Sequence, residues 1–370
     1  MKKRLDTQAI NKYKPLPKKT RGELKMKAAR FYRVDNPLTI EEIPTPTPGS
    51  GEVLVRVKAS GICGSDLYTY HFYPPKSFGL RSLTLGHECA GVVEAVGNNV
   101  KVLSEGDRVC MDYVISCGHC YYCITGRSNL CENLKCAGFE VDGAFAEYIC
   151  LSERQFLKLP ENIPFAQGAI LGCAVVTPYH SLRIAEITPG DTVAIYGVGG
   201  VGMHAVNLAA RVFGAGKTIA VDITEYKLKL ATKLGADETI NAAEEDPVET
   251  IKKLTEGRGA DVALVYVPEA PKVIEQSLKS VGKGGKAVMV GICPKNVQVD
   301  SESFLEKELQ LRSSIEHSQW ELLRVIELAK EKKIDLSKSI THKISLDEVN
   351  KGLEILEKKT GNPVRVVIVQ

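Results

Sequence analysis

Between residues 26 and 150, apolar positions alternate with polar ones or gather in short runs broken by glycine and proline. They do not recur every three to four residues over any long stretch. Glu52-Val53-Leu54-Val55-Arg56-Val57-Lys58-Ala59 alternates with period two in its middle, the pattern of a β-strand. Met26 to Glu42 reads as a strand pair that runs into the turn-rich Pro44-Thr45-Pro46-Thr47-Pro48-Gly49. Ala90 to Gly97 gives another strand, and Gly106-Asp107-Arg108-Val109 marks a turn into one more. The first 150 residues are therefore expected to be mainly β.

The pattern changes near Thr177. Asp191 to Tyr196 is a short apolar strand, followed at once by Gly197-Val198-Gly199-Gly200-Val201-Gly202. Val201, Ala205, Val206, Leu208, Ala209 and Val212 then form a helical stripe. A second strand, Lys217 to Val221, ends on Asp222, twenty residues beyond Gly202. Strand, glycines, helix, strand and terminal acid together make a dinucleotide-binding fingerprint. In it Gly197 permits the tight turn, Gly199 admits the pyrophosphate and Gly202 lets the helix pack on the sheet. Gly200 and Val201 complete the loop, and the helix N-terminus faces the phosphates. Asp222 would accept hydrogen bonds from the ribose hydroxyls and repel a 2′-phosphate, which selects NAD over NADP. Lys227 is a second ribose candidate.

Helical and strand segments go on alternating after Asp222. Helices at Glu225 to Gly235, Pro247 to Glu256 and Pro271 to Ser280 lead to strands at Glu238 to Ile240, Asp261 to Val267 and Lys286 to Ile292. A last strand lies near Leu309 to Ile315. This is the signature of a doubly wound α/β sheet. Trp320 to Lys332 and Leu346 to Lys359 follow as amphipathic helices, and Val364 to Val369 as a closing strand.

A length of 370 residues allows two domains, each with its own core. A net charge of +3 implies no nucleic-acid partner, and no apolar run reaches the roughly 18 residues of a membrane span. Residues 1–25 form a basic, Lys-rich extension without the apolar core of a secretory signal. Eleven Cys is an odd number, and several have metal-ligand spacing. That points to a reducing compartment, the cytoplasm, and to metal-binding thiols rather than a disulfide framework.

Cys117, Cys120, Cys123 and Cys131 lie close together in a polar, Gly-containing loop. Four thiolates at these spacings suit a closed structural zinc site, which has no open position and contributes to folding. Elsewhere, Gly86-His87-Glu88 sets an imidazole beside a carboxylate. With Cys63 and Cys173 it would offer two thiolates and one imidazole, a set that suits a tetrahedral zinc with one position open to substrate. Cys110 and Cys136 are rival ligands.

With GICGSD at Gly61, GHE at Gly86, the four-Cys lobe and GVGGVG at Gly197, the chain resembles the zinc-dependent medium-chain dehydrogenases of the alcohol dehydrogenase family. The likeness runs from about Met26 to the end. The two-Cys, one-His set is the one alcohol dehydrogenase itself uses, so that assignment rests partly on the resemblance. The resemblance implies a β-rich, GroES-like catalytic domain over 26–177, with its zinc lobe near 117–131. A Rossmann NAD-binding domain over 178–316 would interrupt it, and 317–370 would return to the catalytic part. It makes Cys63, His87 and Cys173 the catalytic zinc ligands. Glu88 becomes a carboxylate able to approach the metal, and Asp66 the residue that orients His87. Arg365 falls where relatives hold an Arg that contacts the pyrophosphate; the competing reading is an exposed strand charge.

Ser65, two residues after Cys63, is the hydroxyl best placed to take the substrate proton. Many relatives carry a relay His where this chain has Tyr68, a departure that puts the outer proton path in doubt. His71 and His180 are further candidates for the cleft. The activity implied is interconversion of a small-molecule alcohol and an aldehyde or ketone by hydride transfer to or from NAD. Two zinc ions per chain and a homo-oligomer, dimer or tetramer, go with it. Two other readings compete: a zinc-free enoyl or quinone reductase on the same fold, and a non-catalytic NAD-binding redox sensor.

Overall fold

The computed structural model describes residues 24–370, so residues 1–23 of the expected basic extension lie outside the described residues. The first half is built on a seven-stranded sheet. Along it run Phe156–Lys158, Arg108–Met111, Glu88–Val96, Glu52–Ile62, Arg365–Val369 and Ile340–Ile344, with Tyr148–Ser152 also paired to Glu52–Ile62. Glu52–Ile62 is the central strand. Its Val53, Leu54, Val55 and Val57 are all buried, because the sheet is covered on both faces there.

Register brings the chemistry together. Glu52–Ile62 and Glu88–Val96 are antiparallel with Gly61 opposite Glu88, so the residues just beyond, Cys63 and His87, emerge side by side. Arg365–Val369 pairs antiparallel on the other edge with Val366 opposite Ile62, which sets Arg365 at the same end. A strand more than 300 residues along the chain thus closes the N-terminal sheet.

The second half is a six-stranded parallel sheet ordered Glu238–Asn241, Lys217–Asp222, Thr192–Tyr196, Ala260–Val265, Val281–Met289, Gln310–Ser313. The order reverses between Thr192–Tyr196 and Ala260–Val265, and a doubly wound sheet holds its ligand at the carboxyl ends of the strands beside such a switch point. The alternation read after Thr177 produces these elements, except that Val281–Met289 begins five residues before the expected Lys286.

Two helical segments interrupt the region expected to be mainly β and its junction. Gly64–Phe72 is a nine-residue helix whose only buried residues are Asp66 and Thr69, so it has no apolar stripe to announce it. A local signal does exist: the Asp66 carboxylate reaches back to the Cys63 N–H at 2.8 Å, a capping-box contact spaced by three residues. Phe165–Ile170 continues through a wide π-turn, Leu171–Val175, into Val176–Ile184. Its middle, residues 170–176, is wholly buried, packed against strands of the first sheet and helices of the second half.

Gly86 supports the whole His87 segment. Its φ is +96°, and an added Cβ would lie 2.4 Å from Phe145 Cδ1 and 2.9 Å from the Phe145 backbone nitrogen. Gly86→Ala should therefore lower stability by at least about 1–3 kcal/mol from the backbone conformation alone. A urea midpoint equal to that of the parent would contradict this.

Candidate active site

The ligand atoms of Cys63, His87, Glu88 and Cys173 all lie within 4.8 Å of one another, and all four residues are buried. Cys63 stands between the end of its strand and the start of the Gly64–Phe72 helix, and His87 directly precedes Glu88–Val96. Cys173 comes from the middle of the π-turn. Such turns are rare and concentrate at functional sites.

Asp66 ties two members of the set together. One oxygen lies 3.0 Å from His87 Nδ1 and the other accepts the Cys63 N–H at 2.8 Å. Accepting from Nδ1–H fixes the tautomer and leaves Nε2 as the free lone pair, aimed at the thiols. Ser65 Oγ is 3.4 Å from that Nε2, so the hydroxyl borders the same space. Cys63 is held well below the usual thiol range by Cys173, Arg365 and His87, and Cys173 is left well above it by Cys63 and burial.

Glu88 is fully buried behind the set. Burial pushes its carboxyl up to about 7, against the pull of Arg365. It forms an ion pair with Arg365 Nη1 at 3.1 Å, yet neither oxygen meets a hydrogen-bond donor. Arg365 is 2% exposed, which overturns the reading of an exposed strand charge. Its Nε and Nη2 have no partner, and Nη2 would lie 2.9 Å from a Cβ added to Gly200. One guanidinium therefore reaches both the metal set and the dinucleotide loop.

Aromatic rings form the adjoining wall. Tyr113 and Phe139 each stand 5.0 Å from the His87 ring, and the Tyr113 hydroxyl donates to Glu316. No local pattern marks these residues, since Tyr113 and Glu316 are 203 positions apart. Cys110 and Cys136 stand outside the ligand cluster: Cys110 donates to the Gly168 carbonyl, and burial pushes both thiols up. Neither candidate His belongs to the cluster. His71 pairs with Asp35 and Glu357, and His180 is buried against Glu321. Tyr68 packs on Phe72 and Tyr73.

Cys117, Cys120, Cys123 and Cys131 also converge within 4.8 Å. Their sulfurs come as close as 3.9 Å (Cys117 to Cys123) and 3.5 Å (Cys120 to Cys123), where a zinc with Zn–S bonds of about 2.3 Å needs tetrahedral edges of roughly 3.8 Å. Backbone N–H groups favour the ionised thiols. Those of His119 and Cys120 hold Cys117 below the usual range, and those of Glu132 and Cys123 bring Cys120 down to about 6. The donor set fits a closed tetrahedral metal.

The dinucleotide loop has the shape its glycines require. Gly197 has φ +85°, and an added Cβ would meet Val267 at 2.6 Å; at Gly202 it would lie 2.0 Å from the Gly197 carbonyl. A Cβ added to Gly199 would meet nothing within 4 Å, so that side of the loop faces open space. The Gly202–Arg211 helix starts there, after Val201. Asp222 closes the loop from the next strand: it accepts the Val198 N–H at 3.0 Å and those of Ile223 and Thr224, with Lys227 Nζ at 3.9 Å.

The same two halves are found in known proteins. Residues 49–161 match the alcohol dehydrogenase GroES-like domain, and residues 200–331 match the zinc-binding dehydrogenase domain. An alcohol dehydrogenase of Geobacillus stearothermophilus is 37% identical over 326 residues, 88% of this chain and 94% of that protein. An NAD-dependent alcohol dehydrogenase of Sulfurisphaera tokodaii is 33% identical over 350 residues, 92% of this chain and 100% of that one. The crystal structure of the alcohol dehydrogenase from Aeropyrum pernix superposes with a TM-score of 0.85 at 33% identity, covering 93% of this chain and 100% of that one. With both domains matched and whole-length relatives above 30% identity, the chain belongs to the zinc-binding alcohol dehydrogenase family, a GroES-like domain followed by a Rossmann-type one.

Proposed function

We propose that the chain interconverts an alcohol and an aldehyde or ketone by hydride transfer to or from NAD. The observation that carries this is the buried Cys63–His87–Cys173 set beside the buried Glu88 carboxylate, which is ion-paired to Arg365, at the same edge as the open Gly199 backbone. Two thiolates and an imidazole fit zinc, and the four-Cys lobe fits a second, structural one. When bound, the catalytic zinc supplies a Lewis acid for the substrate oxygen and NAD the hydride acceptor.

The chain's own residues do the rest. Asp66 fixes the His87 ring so that Nε2 stays a ligand. Ser65 Oγ, bordering His87 Nε2, would accept the alcohol proton and would release its own on the side where the ribose of NAD would be held. Tyr68 is a poor base at neutral pH, with a phenol ordinarily near about 10. Burial, with Tyr73 beside it, raises that value further, which supports a proton path through ribose and water. Asp222 binds the adenosine ribose and excludes a 2′-phosphate, with Lys227 beside it. Arg365 spans Glu88 and the Gly200 backbone, where it would hold the pyrophosphate of NAD. A zinc-free reductase has no use for the buried ligand set, and a redox sensor none for its open position.

The domain division that goes with this reading is 26–177, 178–316 and 317–370, supported by the return of Arg365–Val369 to the first sheet. Among the described residues no helix is long and apolar enough to cross a membrane. We place the protein in the cytoplasm as a homo-oligomer, dimer or tetramer. Among the described residues Gln310–Ser313 pairs on one side only, and an unpaired strand edge is a template for a second chain.

Metal analysis should find two zincs per chain. Cys117→Ser should lose one zinc and lower the melting temperature, whereas His87→Ala should abolish turnover and leave the fold intact; a Cys117→Ser protein with parental stability and both zincs would remove the structural role. For the cofactor, kcat/KM should favour NAD over NADP, and Asp222→Asn should narrow the gap, its single amide oxygen keeping the Ile223 and Thr224 N–H groups and giving up that of Val198. Equal use of both cofactors by the parent would refute the role of Asp222. For the proton, Ser65→Ala should cost on the order of a hundredfold in kcat and Tyr68→Phe little. The reverse ranking would mean that the relay runs through the phenol.

A further inference from the structure

The segment 315–321 leaves the carboxyl edge of the cofactor sheet just after Gln310–Ser313; residues 315–319 are bonded to the first half of the molecule, and Trp320 and Glu321 to the helix Val176–Ile184. The Ile315 carbonyl accepts from Asn129 Nδ2 at 3.1 Å. Glu316, whose φ is +53°, receives the Tyr113 hydroxyl. His317, fully buried, meets Asp112 at 3.1 Å. Ser318 Oγ bonds the Gly126 carbonyl at 3.3 Å and Asn129 Oδ1 at 3.4 Å. Gln319 donates to the Arg154 carbonyl. Glu321 takes His180 Nδ1 at 2.9 Å and Arg183 at 2.5 Å, and His180 Nε2 faces Asn129 at 3.5 Å.

Gly126 and Asn129 belong to the four-Cys lobe, between Cys123 and Cys131. His180 and Arg183 lie on the helix that follows the Cys173 turn. Asn129, Ser318, His180 and Glu321 are all at most 7% exposed. Apolar packing would hold two surfaces together as firmly. A run of buried, directional bonds on consecutive residues does something else: it admits a single register, because slipping by one residue would leave several buried polar groups unpaired.

We propose that the four-Cys lobe positions the reaction: by clasping 315–321 through Asn129 and Ser318, it sets the nicotinamide edge of the cofactor sheet against Cys63, His87 and Cys173. Asn129 and Ser318 are positioning residues that touch neither substrate nor cofactor. The inference rests on the hydride-transfer reading above. The adenosine half of NAD is held by Gly197 to Gly202 and Asp222, which the clasp does not contact. Loosening the clasp therefore displaces the reacting end of the cofactor and spares its affinity. Misplacement of reacting atoms by about 1 Å can cost on the order of a hundredfold in rate.

The only tryptophan in the sequence, Trp320, sits on this segment with Arg183 4.5 Å above its ring, so its fluorescence reports on the clasp directly. In the zinc-loaded protein, Ser318→Ala and Asn129→Ala should each lower kcat on the order of tenfold or more, leave the NAD dissociation constant unchanged and shift Trp320 emission. Ser318→Thr, which keeps the hydroxyl, should restore kcat and emission. Ser345→Ala is the control: Ser345 heads a comparable capping box with Glu348, so its loss should cost similar stability with kcat unchanged. Parental kcat per folded molecule in Ser318→Ala, or an equal kcat loss in Ser345→Ala, would overturn the proposal. If Asn129→Ala sheds metal, the Ser318 pair decides alone. A parent that turns over no alcohol would refute the proposed activity instead, and an NAD-induced change in Trp320 emission that is lost in Ser318→Ala would still support the clasp.

Discussion

The structure is organised around a concentration of buried charge. Cys63, Asp66, His87, Glu88, Cys173 and Arg365 are each less than 8% exposed and lie at the ends of three adjoining strands and one helical turn. Unit charges about 4 Å apart interact by about 4 kcal/mol at an effective dielectric of 20. The two thiols and the Glu88 carboxyl crowd one guanidinium and one imidazole, and Asp66 already engages that imidazole at Nδ1. The raised Cys173 thiol and the raised Glu88 carboxyl both express that crowding. A divalent cation held by the sulfurs and the imidazole would relieve it, which is the chemistry a zinc-binding dehydrogenase domain implies.

Legibility in the sequence followed distance along the chain. The four-Cys lobe spans 117–131, and its donors come together through local turns, so spacing alone identifies it. The dinucleotide loop is local too, and Gly197, Gly199, Gly202 and Asp222 stand where the pattern puts them. Cys173 is harder: its neighbours carry no motif, and it reaches Cys63 and His87 only through a wide turn in an apolar helical run. The Gly64–Phe72 helix was hidden because it buries too little to show a stripe, although Asp66 carried a capping signal. Tyr113 with Glu316, and Arg365 with Glu88, depend on tertiary pairing between distant segments. No window of sequence contains them.

Arg365 shows how the two halves are joined at the chemical centre. Its strand lies between Glu52–Ile62 and Ile340–Ile344, and its guanidinium touches Glu88, the Ile62 carbonyl and the back of Gly200. A charge delivered by the last strand thus offsets the carboxylate behind the metal set and stands against the phosphate loop. Both sites share one cation, so a change at either alters the electrostatics of the other.

The π-turn at Leu171–Val175 has a consequence for how this protein can diversify. A helix advances about 100° per residue, and a wide turn stores one residue more than the regular ladder needs. That surplus sets the phase at which Cys173 points. Substitutions along the segment change packing and leave the phase alone. Removing a single residue would let the ladder relax and swing Cys173 around the helix, away from Cys63 and His87. Apart from Cys173 and Gly172, whose added Cβ would lie 2.4 Å from the Met111 carbonyl oxygen, descent can rewrite the letters here, but it cannot change their number.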